Sequence, residues 1–526
     1  LPYLHIGGVV QIYFIQQPYR IHKFTTILKN LAKKISTHPA CMSIESFNRL
    51  YPFAIGTRMI HTDATPLENQ WRQGELVEVT ITDLSDSGDG VGRFEQRVVF
   101  VPDTVTGDRA LVRLIRVKPQ YAHGKLHQLL EPSPHRIRPN CIVADKCGGC
   151  QWQHVEYAYQ REAKRNQVIQ ALERIGGFRR DDDTFSRPVV DPMLSGGDAL
   201  GYRNKVTYPL GRSSVGQVQA GYYQKGSHQL INLNQCPIQD QRLNPLLAEV
   251  KQDIHKRGWG IYNEKLHRGK LRHLSLRIGR RTGETLLTLV ATDDHLEGLE
   301  SQAQSWLERY TNLVGVSINL NPDRTNAIFG KQTHCIAGQP TLQEELAGLK
   351  FQINPTTFFQ VYTEQAEAIL QVILAELNLQ GNEVVVDAYS GIGTLTLPIA
   401  QQVQQAIGLE IQPEAIEQAI ANAQLNGLEN ATFLLGAVET VLPTLKEKPH
   451  IVLLDPPRKG CEASVIETLR QMQPTQIVYV SCNPATLARD LKLLCADRQY
   501  QLTRVQPADF FPQTAHVECV AFLKKT

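Results

Sequence analysis

Hydrophobic and polar positions alternate from Glu75 to Ile81, the period-two pattern of a half-exposed strand. Asp86 to Gly92 is a turn-rich connector. Val98–Val101 and Arg109–Val117 read as further strands, with a turn at Thr106–Asp108 between them. Short strands so closely spaced predict a small closed barrel of the OB type. Further on, Tyr157 to Ile175 has helical spacing and stops at Gly176-Gly177. Asn204–Pro209, Val218–Tyr223, Leu271–Ile278 and Thr285–Ala291 alternate as strands of an α+β region would. After Leu349 the pattern becomes βαβ. Apolar runs at Glu383–Asp387, Gln405–Leu409, Ala431–Leu435, Ile451–Asp455 and Gln476–Ser481 read as buried strands. Leu395–Gln402 and Pro413–Asn426 read as helices between them. The expected class is therefore multidomain: an N-terminal OB-type barrel, a central α+β domain and a C-terminal doubly wound α/β domain, Rossmann-like in its winding.

The corresponding boundaries are 71–132 for the barrel, 133–350 for the central region and 351–526 for the doubly wound domain. Residues 1–70 fit none of these patterns. They begin with Leu1 and read as a disordered or non-native extension, with Met42 or Met59 as alternative starts. Composition adds little: 526 residues, 42% hydrophobic, with a net charge of +3, describe an ordinary globular chain. No apolar run is long enough for a membrane span, and no feature demands an obligate protein partner. A slightly basic pI of 8.3 permits a nucleic-acid partner. The ten cysteines are too sparse for a secreted framework and point to a reducing cytoplasm.

The candidate chemistry gathers at strand ends. Cys482 follows a buried strand and precedes a helix, where ligands meet open α/β sheets and where a helix N-terminus favours a thiolate. Taken alone, it could equally be an inert buried thiol. Ala388 to Thr394 is a glycine-containing strand-to-helix turn, and Glu410, at the end of the next strand, stands where an acid accepts hydrogen bonds from ribose. Thr396 occupies the third glycine's place in the nicotinamide fingerprint, which argues against that cofactor. Asp455-Pro456-Pro457-Arg458 delivers another acid and a tight turn to the same edge. Arg458, in place of an aromatic residue, favours a carbon target over an exocyclic amine. His516-Val517-Glu518 could bring a carboxylate to the crevice, although alone it reads as an ordinary strand-edge Glu. Cys141, Cys147, Cys150 and Cys236 have metal-ligand character. Zinc and iron–sulfur both remain open on ligand type, with Pro237 after Cys236 leaning towards a cluster. Arg113, Arg116, Lys118, Tyr121, His123, Lys125 and His127 mix basic and aromatic groups in the barrel, as RNA contact requires, while Arg203, Lys205, Arg272 and His273 lie beside central strands.

Together these motifs, with Asn354-Pro355 through Phe359-Gln360, resemble the RNA 5-methyluridine methyltransferase family, in particular its iron–sulfur 23S ribosomal-RNA branch with a TRAM barrel. The resemblance covers residues 71–526. It implies that Gln360, Tyr389, Glu410 and Asp455 bind S-adenosyl-L-methionine, that Cys482 is the nucleophile and Glu518 the base, and that Cys141, Cys147, Cys150 and Cys236 hold a [4Fe-4S] cluster. The implied partner is RNA, an unpaired uridine of 23S rRNA. Tyr362 and Ser390 stand where the family often has Asn and Cys. Rival readings are methylation of cytosine at carbon 5, methylation of a tRNA uridine, a non-catalytic RNA-binding protein and a redox protein built on the cluster.

Overall fold

The computed structural model describes residues 71–178 and 188–526, together with two short strands, His5–Ile6 and Val10–Gln11, that pair antiparallel. The chain separates into two compact units, Leu1–Gln70 and Trp71–Thr526. The extension expected at 1–70 lies otherwise outside the described residues.

Five strands, β1 (Leu76–Leu84), β2 (Gly90–Phe94), β3 (Arg97–Val101), β4 (Arg109–Val117) and β5 (Tyr121–Glu131), close into a barrel in the order β1-β2-β3-β5-β4. Val79, Ile81, Val99, Val112 and Leu114 fill its interior. The turn-rich connector is shorter than its composition predicts, because Gly90 already opens β2. Its glycines serve close approach: a Cβ at Gly90 would stand 2.0 Å from Thr104 Oγ1, and one at Gly92 2.3 Å from Val79 Cγ1.

Helix α1 (Tyr157–Ala171) ends in one π-helical turn, Leu172–Gly176, so the helical spacing read to Ile175 covers two kinds of helix. A two-residue strand, β6 (Val189–Val190), follows. The central sheet has seven strands: β7 (Lys205–Arg212), β8 (Val218–Tyr223), β9 (Leu230–Asn232), β10 (Leu271–Ile278), β11 (Thr285–Ala291), β12 (Leu313–Leu320) and β13 (Gln332–Gly338), ordered β9-β8-β7-β10-β11-β12-β13. Helices α2 (Asn244–Lys256) and α3 (Leu299–Arg309) supply Leu246, Val250 and Trp306 to a core shared with Leu274, Leu276 and Leu287.

A hairpin, β14 (Leu342–Leu346) and β15 (Leu349–Ile353), and helix α4 (Thr363–Leu377) lead into the last sheet and share its core. Its strands are β16 (Val384–Ala388), β17 (Gln405–Glu410), β18 (Ala431–Leu435), β19 (Ile451–Leu454), β20 (Gln476–Ser481), β21 (Tyr500–Ala508) and β22 (Glu518–Lys525), with β6 on the far edge. The order is β18-β17-β16-β19-β20-β22-β21-β6. The first five run parallel, whereas β22 lies antiparallel between β20 and β21. Chain order reverses between β16 and β19, which opens a crevice at the carboxyl ends of the parallel strands. β16, β19 and β20 are buried on both faces, and this is why they read as unbroken apolar runs.

α1 is clamped to this sheet by a buried ion pair. Lys164 Nζ donates to Asp509 Oδ1 at 2.6 Å and to the Phe511 carbonyl at 3.0 Å, and both charged side chains are fully buried. Asp509 begins the connection from β21 to β22, so the clamp holds the segment that delivers Glu518. Among the described residues no helix is long and apolar enough to cross a membrane. Lys164→Ala leaves a buried carboxylate unpaired and is expected to cost about 3–5 kcal/mol in urea unfolding. The double change Lys164→Met with Asp509→Leu is expected to cost far less. Equal losses would show that the pair's charges do not matter.

Candidate active site

Three loops meet at the crevice. The first follows β16, where Tyr389 takes φ +75°, a left-handed conformation rare for a bulky residue. Its N–H and that of Ser390 both donate to the Leu409 carbonyl, at 3.0 and 2.9 Å, which holds the turn against β17. The second is the Asn354–Gln360 loop. The third is the Asp455–Gly460 turn after β19. Its far end is fixed by Asp490, whose Oδ2 accepts from Cys461 N–H at 2.9 Å and from Tyr479 Oη at 2.6 Å.

Between these loops lies a cleft lined by Phe358, Gln360, Asp387, Tyr389, Asp455 and Phe510 among others. The structure thus brings together three of the four residues expected at the cofactor. The fourth, Glu410, does not line the pocket, but its Oε2 accepts from Gly391 N–H at 3.0 Å just beside it. Sequence reasoning passed over Asp387 as a site residue. It is buried and pushed up to about 6, by burial first and with Glu410 adding to the shift against the Thr396 hydrogen bond. Thr396 Oγ1 donates to its Oδ2 at 2.5 Å, while its Oδ1 and the Ser390 hydroxyl are buried without a partner. Unpartnered polar atoms lining a cleft fit a polar ligand such as S-adenosylmethionine.

Helices α5 (Thr396–Ala400), α6 (Pro413–Leu425), α7 (Val438–Val441) and α8 (Ala463–Met472) connect the parallel strands in turn, and Cys482 sits in the turn from β20 to α9 (Pro484–Leu494). Ser481 Oγ accepts the Asn483 N–H at 3.2 Å, and Asn483 Oδ1 caps the helix by accepting from Ala485 N–H at 3.0 Å. In the β20–β22 ladder Ser481 pairs with Cys519, so one step further Cys482 stands beside Glu518. Glu518 is buried, and burial drives its carboxyl up to about 7 against the pull of Arg458. Asp455 is held well above the usual carboxylate range by burial, Glu518 and Asp387. The Cys482 thiol is itself raised, by burial and then by Glu518, with only Arg458 among the charged groups opposing. The helix N-terminus at Cys482 was expected to favour a thiolate. Burial and the neighbouring carboxylates act against that preference. Arg458 is the second residue given no site role from the sequence, which does not show that its charge acts on both Cys482 and Glu518.

Cys141, Cys147, Cys150 and Cys236 are free thiols lining one cavity, with Val143, Tyr222, Leu233 and Ile238 among the other walls. Burial, with the neighbouring sulfurs adding, pushes Cys150 up to about 12 and Cys236 to about 11. Among the described residues no three Cys, His, Asp or Glu side chains gather closely enough for a single metal ion. Four thiols on one cavity have the donor chemistry of either a zinc or an iron–sulfur site.

The tRNA (uracil-5-)-methyltransferase family model matches residues 202–526, and the TRAM domain model matches residues 70–127, from the start of the barrel into β5. The chain belongs to this methyltransferase family. A Nostoc sp. protein named as an uncharacterized RNA methyltransferase is 68% identical over 456 residues, covering 87% of this chain and 98% of its own. Its counterpart in Synechocystis sp. is 56% identical, covering 86% and 96%. Among solved structures, the Pyrococcus abyssi tRNA (uracil-54, C5)-methyltransferase in complex with S-adenosyl-L-homocysteine superposes with a TM-score of 0.68 at 27% identity, covering 85% of this chain and 99% of that one. The chain is thus an RNA methyltransferase of the uracil-5 family with a TRAM barrel.

The methyltransferase's buried carboxylates set a pH dependence. Between the ordinary 4.5 of a glutamate and about 7, folded Glu518 keeps a proton that the unfolded chain has released. Stability therefore falls as pH rises through that window. Glu518→Gln is expected to raise stability relative to the unsubstituted enzyme by about 2–3 kcal/mol more at about pH 8 than at about pH 4.5. Urea midpoints with the same pH dependence in both proteins would contradict the burial of this carboxyl.

Proposed function

We propose that this methyltransferase transfers a methyl group from S-adenosylmethionine to carbon 5 of an unpaired uridine in RNA, through a covalent Cys482 adduct at carbon 6. The observation that supports the reading is Cys482 beside buried Glu518 in the ladder, each interacting electrostatically with Asp455, which lines the pocket shared with Gln360, Asp387 and Tyr389. Family membership supports the donor, with Gln360, Tyr389, Asp455 and the adjacent Glu410 as its contacts.

Carbon 5 of uracil is a weak nucleophile. Addition of the Cys482 sulfur to carbon 6 breaks the 5,6 double bond and moves its electrons towards O4, giving an enolate that is nucleophilic at carbon 5. S-adenosylmethionine supplies the electrophilic methyl group that this carbon takes up. Carbon 5 then carries both methyl and hydrogen. Glu518, with a carboxyl near 7, is matched to removing that proton at neutral pH. The released electrons re-form the double bond and expel the Cys482 thiolate. Arg458 is the cation that favours sulfur in that anionic form. Carbon 6 of a paired base is out of reach, so the nucleotide is unpaired or flipped, with the barrel gripping the flanking RNA.

Cys141, Cys147, Cys150 and Cys236 would hold a [4Fe-4S] cluster, which joins the segment before α1 to the central sheet. We assign it no step in methyl transfer. The four-cysteine set supports 23S rRNA as substrate, by resemblance to the ribosomal branch. The tRNA named for the Pyrococcus abyssi structure supports a tRNA uridine as the second reading. The free cysteines support a reducing cytoplasm.

Cys482→Ala is expected to abolish both turnover and the denaturation-resistant protein–RNA adduct. Glu518→Gln is expected to accumulate that adduct, because elimination stalls with the proton on carbon 5. Near-normal methylation by Cys482→Ala would sink the mechanism. Protein purified without oxygen is expected to carry four iron and four sulfide per chain, as the cluster's formula requires. The iron and sulfide should be lost in Cys150→Ser. One zinc per chain instead would overturn the cluster.

A further inference from the structure

Among the described residues, three basic side chains at the central sheet, Arg203, Lys205 and Arg277, have no anionic partner. Lys205 on β7 stands directly across from Arg277 on β10, on the face opposite the α2–α3 core. Arg203 is tied to the same strand by its Nε, which donates to the Lys205 carbonyl at 3.0 Å. Arg277 is only 4% exposed; it donates from Nη2 to the Thr357 carbonyl at 2.7 Å, and its Nε is buried without a partner. Lys205 Nζ lies 4.9 Å from the centre of the Phe329 ring. Among the described residues the charged groups acting on Lys205 are these two arginines, and burial together with them pushes it down to about 6. Other buried cations of this chain are compensated. Lys164 has Asp509, Arg280 has Asp240 and Glu364, and Arg272 donates to three backbone carbonyls. Clustered like charges without a counter-charge are unfavourable in the free protein and are relieved when an anion binds.

The position of the cluster identifies the anion. Asn204, between Arg203 and Lys205, donates from Nδ2 to the Gln360 carbonyl and from its N–H to the Val361 carbonyl, each at 2.9 Å. With the Arg277–Thr357 bond, these contacts attach the three cations to the loop whose Phe358 and Gln360 line the methyl-donor pocket. A guanidinium fork matches a phosphate, and the Phe358 ring, 67% exposed, offers a stacking face nearby. We propose that Arg203, Lys205 and Arg277 seat a backbone phosphate of the substrate RNA close to the target nucleotide. This rests on the RNA-methylating reading of the same site.

Lys205 has no side-chain hydrogen bond among the described residues, its ammonium lying over the Phe329 ring, and is the safest of the three to change. Full-length enzyme, Lys205→Gln and Lys205→Arg would be compared for binding, without methyl donor, to fragmented 23S rRNA and to bulk tRNA from cells lacking the enzyme, over a salt series. S-adenosylhomocysteine binding is the control for folding. For the RNA that binds more tightly, Lys205→Gln is expected to weaken binding on the order of five- to tenfold at low salt. It should also reduce the slope of log K against log salt by about 0.7–0.9, the loss of one phosphate contact. Lys205→Arg should keep the slope, and in turnover the KM for RNA of Lys205→Gln should rise more than kcat falls. An unchanged slope and KM in folded Lys205→Gln, or an equal loss in Lys205→Arg, overturns the phosphate seat. The binding slope is read without methylation. Failure of the unsubstituted enzyme to methylate either RNA would therefore count against the proposed reaction alone.

Discussion

Antiparallel insertion of β22 between β20 and β21 is the constraint on which the site depends. Parallel strands deliver their loops to one edge of the sheet, and that edge already holds the turns after β16, β19 and β20. A strand running the other way brings its beginning, not its end, to the same edge. Glu518, the first residue of β22, thereby arrives beside Cys482, and the ladder register leaves no slack in that placement.

The arrangement is electrostatically unfavourable on its own. Asp387, Asp455 and Glu518 crowd one crevice, all held above their ordinary range, and Cys482 is raised with them. Tyr389 adds backbone strain at the rim. The surrounding structure holds these groups in place. Asp490 ties the Asp455–Gly460 turn to α9, and Lys164 with Asp509 fixes the connection into β22 from the other side. Stability spent at the reacting groups is thus offset by interactions that touch no substrate, the usual division between a site and its scaffold.

Much of this was legible in the sequence because it lay in local pattern. The parallel strands are apolar on both faces, and their loops carry Asp-Pro-Pro-Arg and Ser-Cys-Asn-Pro where the runs stop. Strands Val218–Tyr223, Leu271–Ile278 and Thr285–Ala291 of the central sheet form where they were read, although the last two are buried almost throughout. The unread part depends on contacts across the chain. Glu518 alone looks like any strand-edge acid, and only its neighbour on β20 makes it a base. Arg458 is a surface cation by composition, and only the fold brings its charge to act on Cys482. β5 has no clear signature, because it points Ala122 and Gly124 inward and leaves His123, Lys125 and His127 exposed. Nothing local reveals that Arg277 is buried without a counter-charge.

The central claim is that carbon 5 of a uracil loses its hydrogen within a Cys482 adduct. Tritium release from RNA labelled at carbon 5 of uracil measures this directly, with S-adenosylmethionine present and ribosomal and transfer RNA fractions from cells lacking the enzyme compared side by side. The account predicts one tritium released per methyl group incorporated, from the ribosomal fraction, and none with Cys482→Ala. Methyl incorporation without tritium release would place the methyl group on another atom and contradict it.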